Sequence, residues 1–152
     1  MKKKLIFICL FLIIQIKAFA LIEVDITRGN LNPLPLAVSP LSIDENSKKS
    51  FEKILDKDNI GSEISIIVEN NLRTSGLFNP LSKDAFLQAP DIANLKPRFE
   101  DWNLIKAQAL ISGKVKYVDE KLRVEFRLWD VLAGKEMMAL AFTTVPNNWR
   151  RV

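Results

Sequence analysis

The chain has 152 residues, with 22 Lys and Arg against 18 Asp and Glu, a pI near 9.2, a single Cys and no His. The absence of His excludes a Ser-His-Asp triad, a Cys-His pair and a His-based metal centre, and one Cys leaves no disulfide framework. The five glycines are scattered and build no phosphate-cradling loop, so no cofactor or metal is expected.

Lys2, Lys3 and Lys4 are followed by an apolar run from Leu5 to Ile16 in which only Gln15 is polar. Lys17 ends the run, and Ala18 and Ala20 place small residues where a signal peptidase reads. This is the three-part layout of a cleavable secretory signal over residues 1–20, with the processed chain beginning at Leu21. A membrane anchor is the rival reading, but a span of about 20 apolar residues would draw Gln15 and Lys17 into lipid. Cys9 lies inside the apolar run and reads as a buried apolar residue. Residues 1–20 carry four lysines and no acid, so removing them takes the 22 basic residues to 18, equal to the 18 acidic ones. The basic pI therefore belongs to the leader, and near-neutrality argues against a nucleic-acid or anionic-membrane partner. About 132 residues remain, enough for one domain held by a hydrophobic core.

Ile22, Val24 and Ile26 alternate with Glu23, Asp25 and Thr27, a short strand pattern with one apolar and one polar face. Gly29, Pro33 and Pro35 detach it from the next segment, so it reads either as an edge strand or as an arm that adds to another protein's sheet. Leu36-Ala37-Val38, closed by Pro40, reads as a buried strand. Ser42 to Asn59 is polar and charged and reads mainly as a loop, with one possible helical turn at Phe51, Ile54 and Leu55. Ile60 to Ser75 is the clearest helix: Ile60, Ile64, Ile67, Val68 and Leu72 share one face, Asp58 or Asn59 caps the start, and Gly76 supplies the left-handed residue at the end. Leu77 to Leu81 is extended.

Ser82 to Pro97 holds two weak helical signals. Arg98 to Ala107 reads as a second helix with Phe99, Trp102 and Ile105 on its buried side, Pro97 standing just before it. Three strands come next: Ala109 to Tyr117, Leu122 to Leu128, and Met138 to Phe142, joined by turns at Asp119-Glu120-Lys121 and Ala133-Gly134-Lys135, an antiparallel meander. The fold class expected is α/β, with a small mixed sheet of four to five strands, the C-terminal meander, two main helices packed on the sheet and a signal-peptide helix before them. Pro146 to Val152 reads as the opening of another helix, with Asn147 or Asn148 as its cap and Trp149 as its first apolar contact. One turn of helix needs tertiary support, so Val152 is not expected to be a domain end, and the fragment is expected to expose apolar surface.

Residue chemistry offers few rivals to an interaction protein. Glu23 and Asp25 share a face but lie in a terminal segment with no cleft. Trp102, Trp129 and Trp149 invite a carbohydrate-stacking reading: Trp102 belongs to a helix's apolar side, Trp129 falls on its strand's polar face and should be the most exposed, and Trp149 belongs with the chain's last helix. Arg123 and Arg127 read as a solvated sheet face. Ser75 and Gly76 mark a helix stop.

Taken in order, several pieces resemble the TolB family of Tol-Pal system proteins: the signal peptide, Glu23-Val24-Asp25-Ile26-Thr27-Arg28-Gly29, Leu34 to Pro40, Asn71-Leu72-Arg73-Thr74-Ser75-Gly76-Leu77-Phe78-Asn79-Pro80-Leu81, Arg98 to Trp102, Ser112 to Val115, and Phe126 to Val131. Asn71 departs mildly from the family's aspartate. The resemblance spans nearly all of residues 21–152. It implies a periplasmic, non-enzymatic interaction protein, with residues 21–34 as a partner-binding arm and 35–152 as an N-terminal α/β domain incomplete at its C-terminus. In the family the arm contacts the inner-membrane protein TolA, through positions matching Ile22, Glu23, Val24, Asp25, Ile26 and Thr27 here. It also folds back and tunes binding of the lipoprotein Pal, which docks on a β-propeller that lies beyond this sequence. No small-molecule substrate is implied. The alternative is a periplasmic glycan- or peptide-binding module of the same small fold.

Overall fold

The computed structural model describes residues 32–151. Six strands form one mixed sheet, in the order β3-β1-β4-β5-β6 with β2 also on β4. They are β1 (Leu34–Val38), β2 (Ser42–Ile43), β3 (Phe78–Pro80), β4 (Ala109–Val118), β5 (Lys121–Asp130) and β6 (Lys135–Thr144). The helices are α1 (Glu45–Leu55), α2 (Ile60–Thr74), α3 (Pro90–Leu95) and α4 (Phe99–Leu104), with short 3₁₀ turns at Lys83–Ala85 and Pro146–Arg151. The α/β class and the meander are as the sequence indicates; the two-residue β2 takes the strand count past the four or five expected.

Strand order explains where the helices lie. β1 runs parallel to β3 on one side and to β4 on the other. The crossover from β1 to β3 carries α1 and α2, and that from β3 to β4 travels back in the opposite direction carrying α3 and α4. Two crossovers of the same hand that move in opposite directions put their helices on opposite faces. Strand β1 is consequently covered on both sides, and Leu36, Ala37 and Val38 are all buried. The α1/α2 face packs Phe51, Ile60 and Ile64 against Val115, Leu122 and Val124. The α3/α4 face packs Ala93 and Trp102 against Ala37, Leu110 and Trp129.

The segment from Ser42 to Asn59 is not mainly a loop. It forms β2 and the three-turn helix α1. Asp44 caps α1: its carboxylate accepts from the Ser47 backbone N–H at 2.9 Å and from the Ser47 hydroxyl at 2.8 Å. The Ser47 hydroxyl in turn accepts from the Tyr117 backbone N–H at 2.9 Å, so the cap is tied to β4. A single large anchor, Phe51, holds the helix to the sheet, with its ring edge-on to Tyr117 at 5.6 Å. Phe51 and Leu55 share the sheet-facing side of α1, but the helix is mostly polar and charged, which masks its amphipathic pattern in the sequence.

Helix α2 follows the expected pattern, with Asn59 at its N-cap, although the Asn59 side chain makes no capping hydrogen bond. Gly76 adopts φ +72° directly after it, the backbone conformation that favours glycine. Gly61 lies where α2 meets the Leu41 backbone, and a Cβ there would collide with the Leu41 carbonyl oxygen. The two weak signals between Ser82 and Pro97 are the 3₁₀ turn and α3. The helix expected over Arg98–Ala107 is shorter, because Lys106 turns to φ 62° to deliver Ala107 to β4. The hairpin between β4 and β5 places both Asp119 and Glu120 at positive φ, the geometry of a tight turn between twisted strands.

Candidate interaction surface

The residues the sequence singles out for processing and partner binding, Ala18, Ala20, Leu21, Ile22, Glu23, Val24, Asp25, Ile26 and Thr27, lie outside the described residues. The surface the structure does present is the sheet beyond the helices. Strand β5 is covered in part by both helical layers, the side chains of β6 are largely exposed, and each face there has its own chemistry.

On the α1/α2 face, Leu122, Val124, Phe126 and Leu128 of β5 stand opposite Thr144, Phe142, Leu140 and Met138 of β6. Leu122 and Val124 are fully buried, whereas Met138, Leu140 and Phe142 are 51, 49 and 43% exposed. Together with Val68 of α2 and Ile111 of β4, the apolar side chains of this half-sheet enclose an open groove of about 310 Å³, with Arg127 at its rim. Phe126 and Phe142 meet edge to face at 6.2 Å within it. Phe126 also packs on the core cluster that holds Trp149, so the groove runs directly into the core.

The opposite face at this end is polar. Glu125 accepts from Arg123 at 3.0 Å and faces Lys114 at 3.1 Å, and Arg127 pairs with Glu136 at 2.9 Å. Partial burial pushes the Glu125 carboxyl up, but hydrogen bonds from Arg123 and Lys114, with their charges, outweigh it and hold the group below the usual carboxylate range. Ala139 and Ala141 stand beside these ion pairs on β6 and keep that face flat. Arg123 is the exposed partner of its pair, in line with a solvated face.

Of the three tryptophans, Trp129 departs from expectation in its exposure. Trp102 is core, as its helix face implies. Trp129 is buried rather than exposed: α4 covers the β4–β5 end of that face, Phe99 lies against the indole at 5.9 Å, and its Nε1–H donates to the buried Ser112 hydroxyl at 2.9 Å. Trp149 is also buried, in the main core cluster, and belongs to a 3₁₀ turn. None of the three offers an open face for a sugar ring. Ser75, read as part of a helix stop, donates its hydroxyl to the Leu72 carbonyl at 2.6 Å. Among the described residues no cluster of acids could hold a metal ion, and no helix is long and apolar enough to cross a membrane.

The groove residues Val68, Ile111, Phe126, Leu128, Met138, Leu140 and Phe142 carry a sequence signal only as strand or helix faces. Alternation identifies the face and is silent on whether anything covers it.

The family model for the TolB amino-terminal domain matches residues 22–137. The Tol-Pal system protein TolB of Pelagibacter ubique is 83% identical over 143 residues, which are 94% of this chain and 32% of that protein. The chain thus spans about a third of the length of that relative. Among solved structures, TolB from Acinetobacter baumannii superposes over 78% of this chain and 25% of its own, with a TM-score of 0.57 at 19% identity. The LpoB C-terminal domain from Salmonella enterica superposes over 77% of this chain and 86% of its own, with a TM-score of 0.51 at 13% identity. At those identities the two structures speak for the fold alone. On the family match and the close relative, the chain belongs to the TolB family of Tol-Pal system proteins, within which it matches the amino-terminal domain.

Proposed function

We propose that this chain serves as a non-catalytic, periplasmic interaction component of the Tol-Pal envelope system, exported by residues 1–20 and cleaved after Ala20. The arm freed behind the new N-terminus at Leu21, Ile22 to Thr27, then contacts a TolA-like inner-membrane protein and supports outer-membrane integrity and constriction during division. A Pal-like lipoprotein is a further partner only where a propeller is joined to this domain. The observation that carries this reading is the 83% identity to a Tol-Pal system protein across 94% of the chain. The alternation of Ile22, Val24 and Ile26 with Glu23 and Asp25 suits strand addition, in which main-chain pairing supplies affinity and the apolar side chains fill pockets.

Deleting residues 21–27 tests the assignment. Binding to the purified TolA-like periplasmic domain, measured by calorimetry, should fall at least about tenfold, a loss of roughly 1.4 kcal/mol, while the thermal melt stays unchanged. Undiminished binding by the deleted chain would remove the arm from the interface.

A further inference from the structure

We propose that the cleft between α3, β2 and β4 binds a short peptide with free termini, its carboxylate on Lys116, its ammonium on Asp91 and its peptide group on the Asn94 amide. The inference rests on this cleft and is independent of the family reading. On the α3/α4 face, β4 runs from Leu110 and Ser112, both buried, to Lys114 and Lys116. β2 lies parallel to this stretch, with Ser42 beside Lys114. The floor of the cleft is therefore polar, next to the apolar cluster of Ala37, Ala93 and Leu110. Asp91, Asn94 and Leu95 form its wall, at the i, i+3 and i+4 positions that share one side of a helix. The cleft has a volume of about 320 Å³, at the small end of ligand sites, which run from roughly 300 to 1,000 Å³.

The polar groups in the cleft select the ligand. Asn94 is only 7% exposed, yet its side chain makes no hydrogen bond among the described residues. A buried amide without partners is unfavourable. Its donor and its acceptor match the carbonyl and the N–H of a peptide group. Asp44 and Lys114 are already engaged. The Asp44 carboxylate accepts from both Ser47 donors, and Lys114 pairs with Glu125 at 3.1 Å. Lys116 and Asp91 have no ion-pair partner among the described residues. One cation, one anion and one amide thus stand without partners, a set that fits a ligand charged oppositely at its two ends. A simple anion would meet the carboxylates of Asp44 and Asp91 as well as the lysines, and a simple cation would meet the lysines. Ile43 and Leu95 complete the lining and suit a small apolar side chain.

Titrating the purified, isotope-labelled chain with dialanine tests this by NMR, with the Asn94 side-chain amide as reporter. Dialanine should shift that amide saturably. Dialanine amide lacks the carboxylate and should bind about tenfold more weakly, since Lys116 is half-buried. N-acetyl-dialanine lacks the ammonium and should bind about threefold more weakly, a smaller loss because Asp91 is exposed. Lys116→Met should abolish the first preference and keep the second, and Asp91→Asn should do the reverse. An Asn94 amide that does not move, or that moves equally for all three compounds, overturns the proposal. A preference that survives the loss of its own side chain overturns it as well.

Discussion

β5 and β6 are ten-residue strands that both set a row of large apolar side chains on one face, with charged residues between them in β5 and alanines in β6, and they end up in different environments. Leu122 and Val124 lie under Phe51, Ile60, Ile64 and Trp149. Met138, Leu140 and Phe142 point the same way, one strand further out, and stay about half exposed. The difference comes from crossover topology. Helices laid down between β1, β3 and β4 cover those strands and their immediate neighbour, and a meander that continues outward runs out from under them. Periodicity therefore reports the direction of a side chain, while topology decides whether it becomes core or interface.

That contrast can be broken most forcefully by truncating its two halves. Phe51→Ala removes the sole deep anchor of α1 and should cost about 3–5 kcal/mol by urea denaturation. Leu140→Ala should cost less than about 1 kcal/mol, since that side chain is half exposed. Similar losses at the two positions would mean that β6 is covered in solution.

A smaller effect sharpens the comparison on the other face. Trp129→Phe keeps an aromatic ring against Phe99 but leaves the buried Ser112 hydroxyl without its indole donor. It should cost about 1–3 kcal/mol, in addition to any loss of packing volume. Trp102→Phe removes an indole whose Nε1 has no hydrogen-bond partner among the described residues, and so carries only the volume loss. If Trp129→Phe proved no worse than Trp102→Phe by denaturation, the Ser112 bond would contribute nothing.

The smallest expected effect concerns the cap of α1. Asp44→Ala should cost about 1 kcal/mol at neutral pH. The hydrogen bond from the Ser47 backbone N–H, followed by that from its hydroxyl, holds the Asp44 carboxyl below its ordinary value of 3.8. A depressed carboxylate contributes stability above its unfolded pKa and loses it as pH falls through the folded one. The native chain should thus give up the cap's contribution as pH drops below 3.8, and Asp44→Ala should lack that part of the acid response. Parallel acid titrations of stability in the two chains would show that the cap is not ionic.

Much of this architecture is legible in the residues. Helix α2, its glycine stop, the hairpin turns and the meander all come from periodicity and turn chemistry. The features that stay hidden depend on long-range placement. Helix α1 has an amphipathic period, but its few apolar residues are set among many charged ones, and its cap is tied to the sheet by the Ser47–Tyr117 hydrogen bond, a contact across 70 positions of sequence. Trp129 sits on the face its alternation implies, and is buried because α4, reached by a separate crossover, arrives on that face. The groove is hidden for the converse reason: Met138, Leu140 and Phe142 look like core in the sequence, yet among the described residues they stay about half exposed on the outermost strand. The arm from Ile22 to Thr27, which carries the proposed partner contact, lies outside the described residues and rests on its sequence pattern and on the family.

Amide hydrogen exchange followed peptide by peptide tests the contrast between the two strands most directly. Residues 121–130, in a strand paired on both sides, should be protected. Residues 135–144, in a strand paired with β5 alone among the described strands, should exchange faster through the amides that face away from β5. Protection of β6 equal to that of β5 would contradict the account of β6 as the less covered of the two strands.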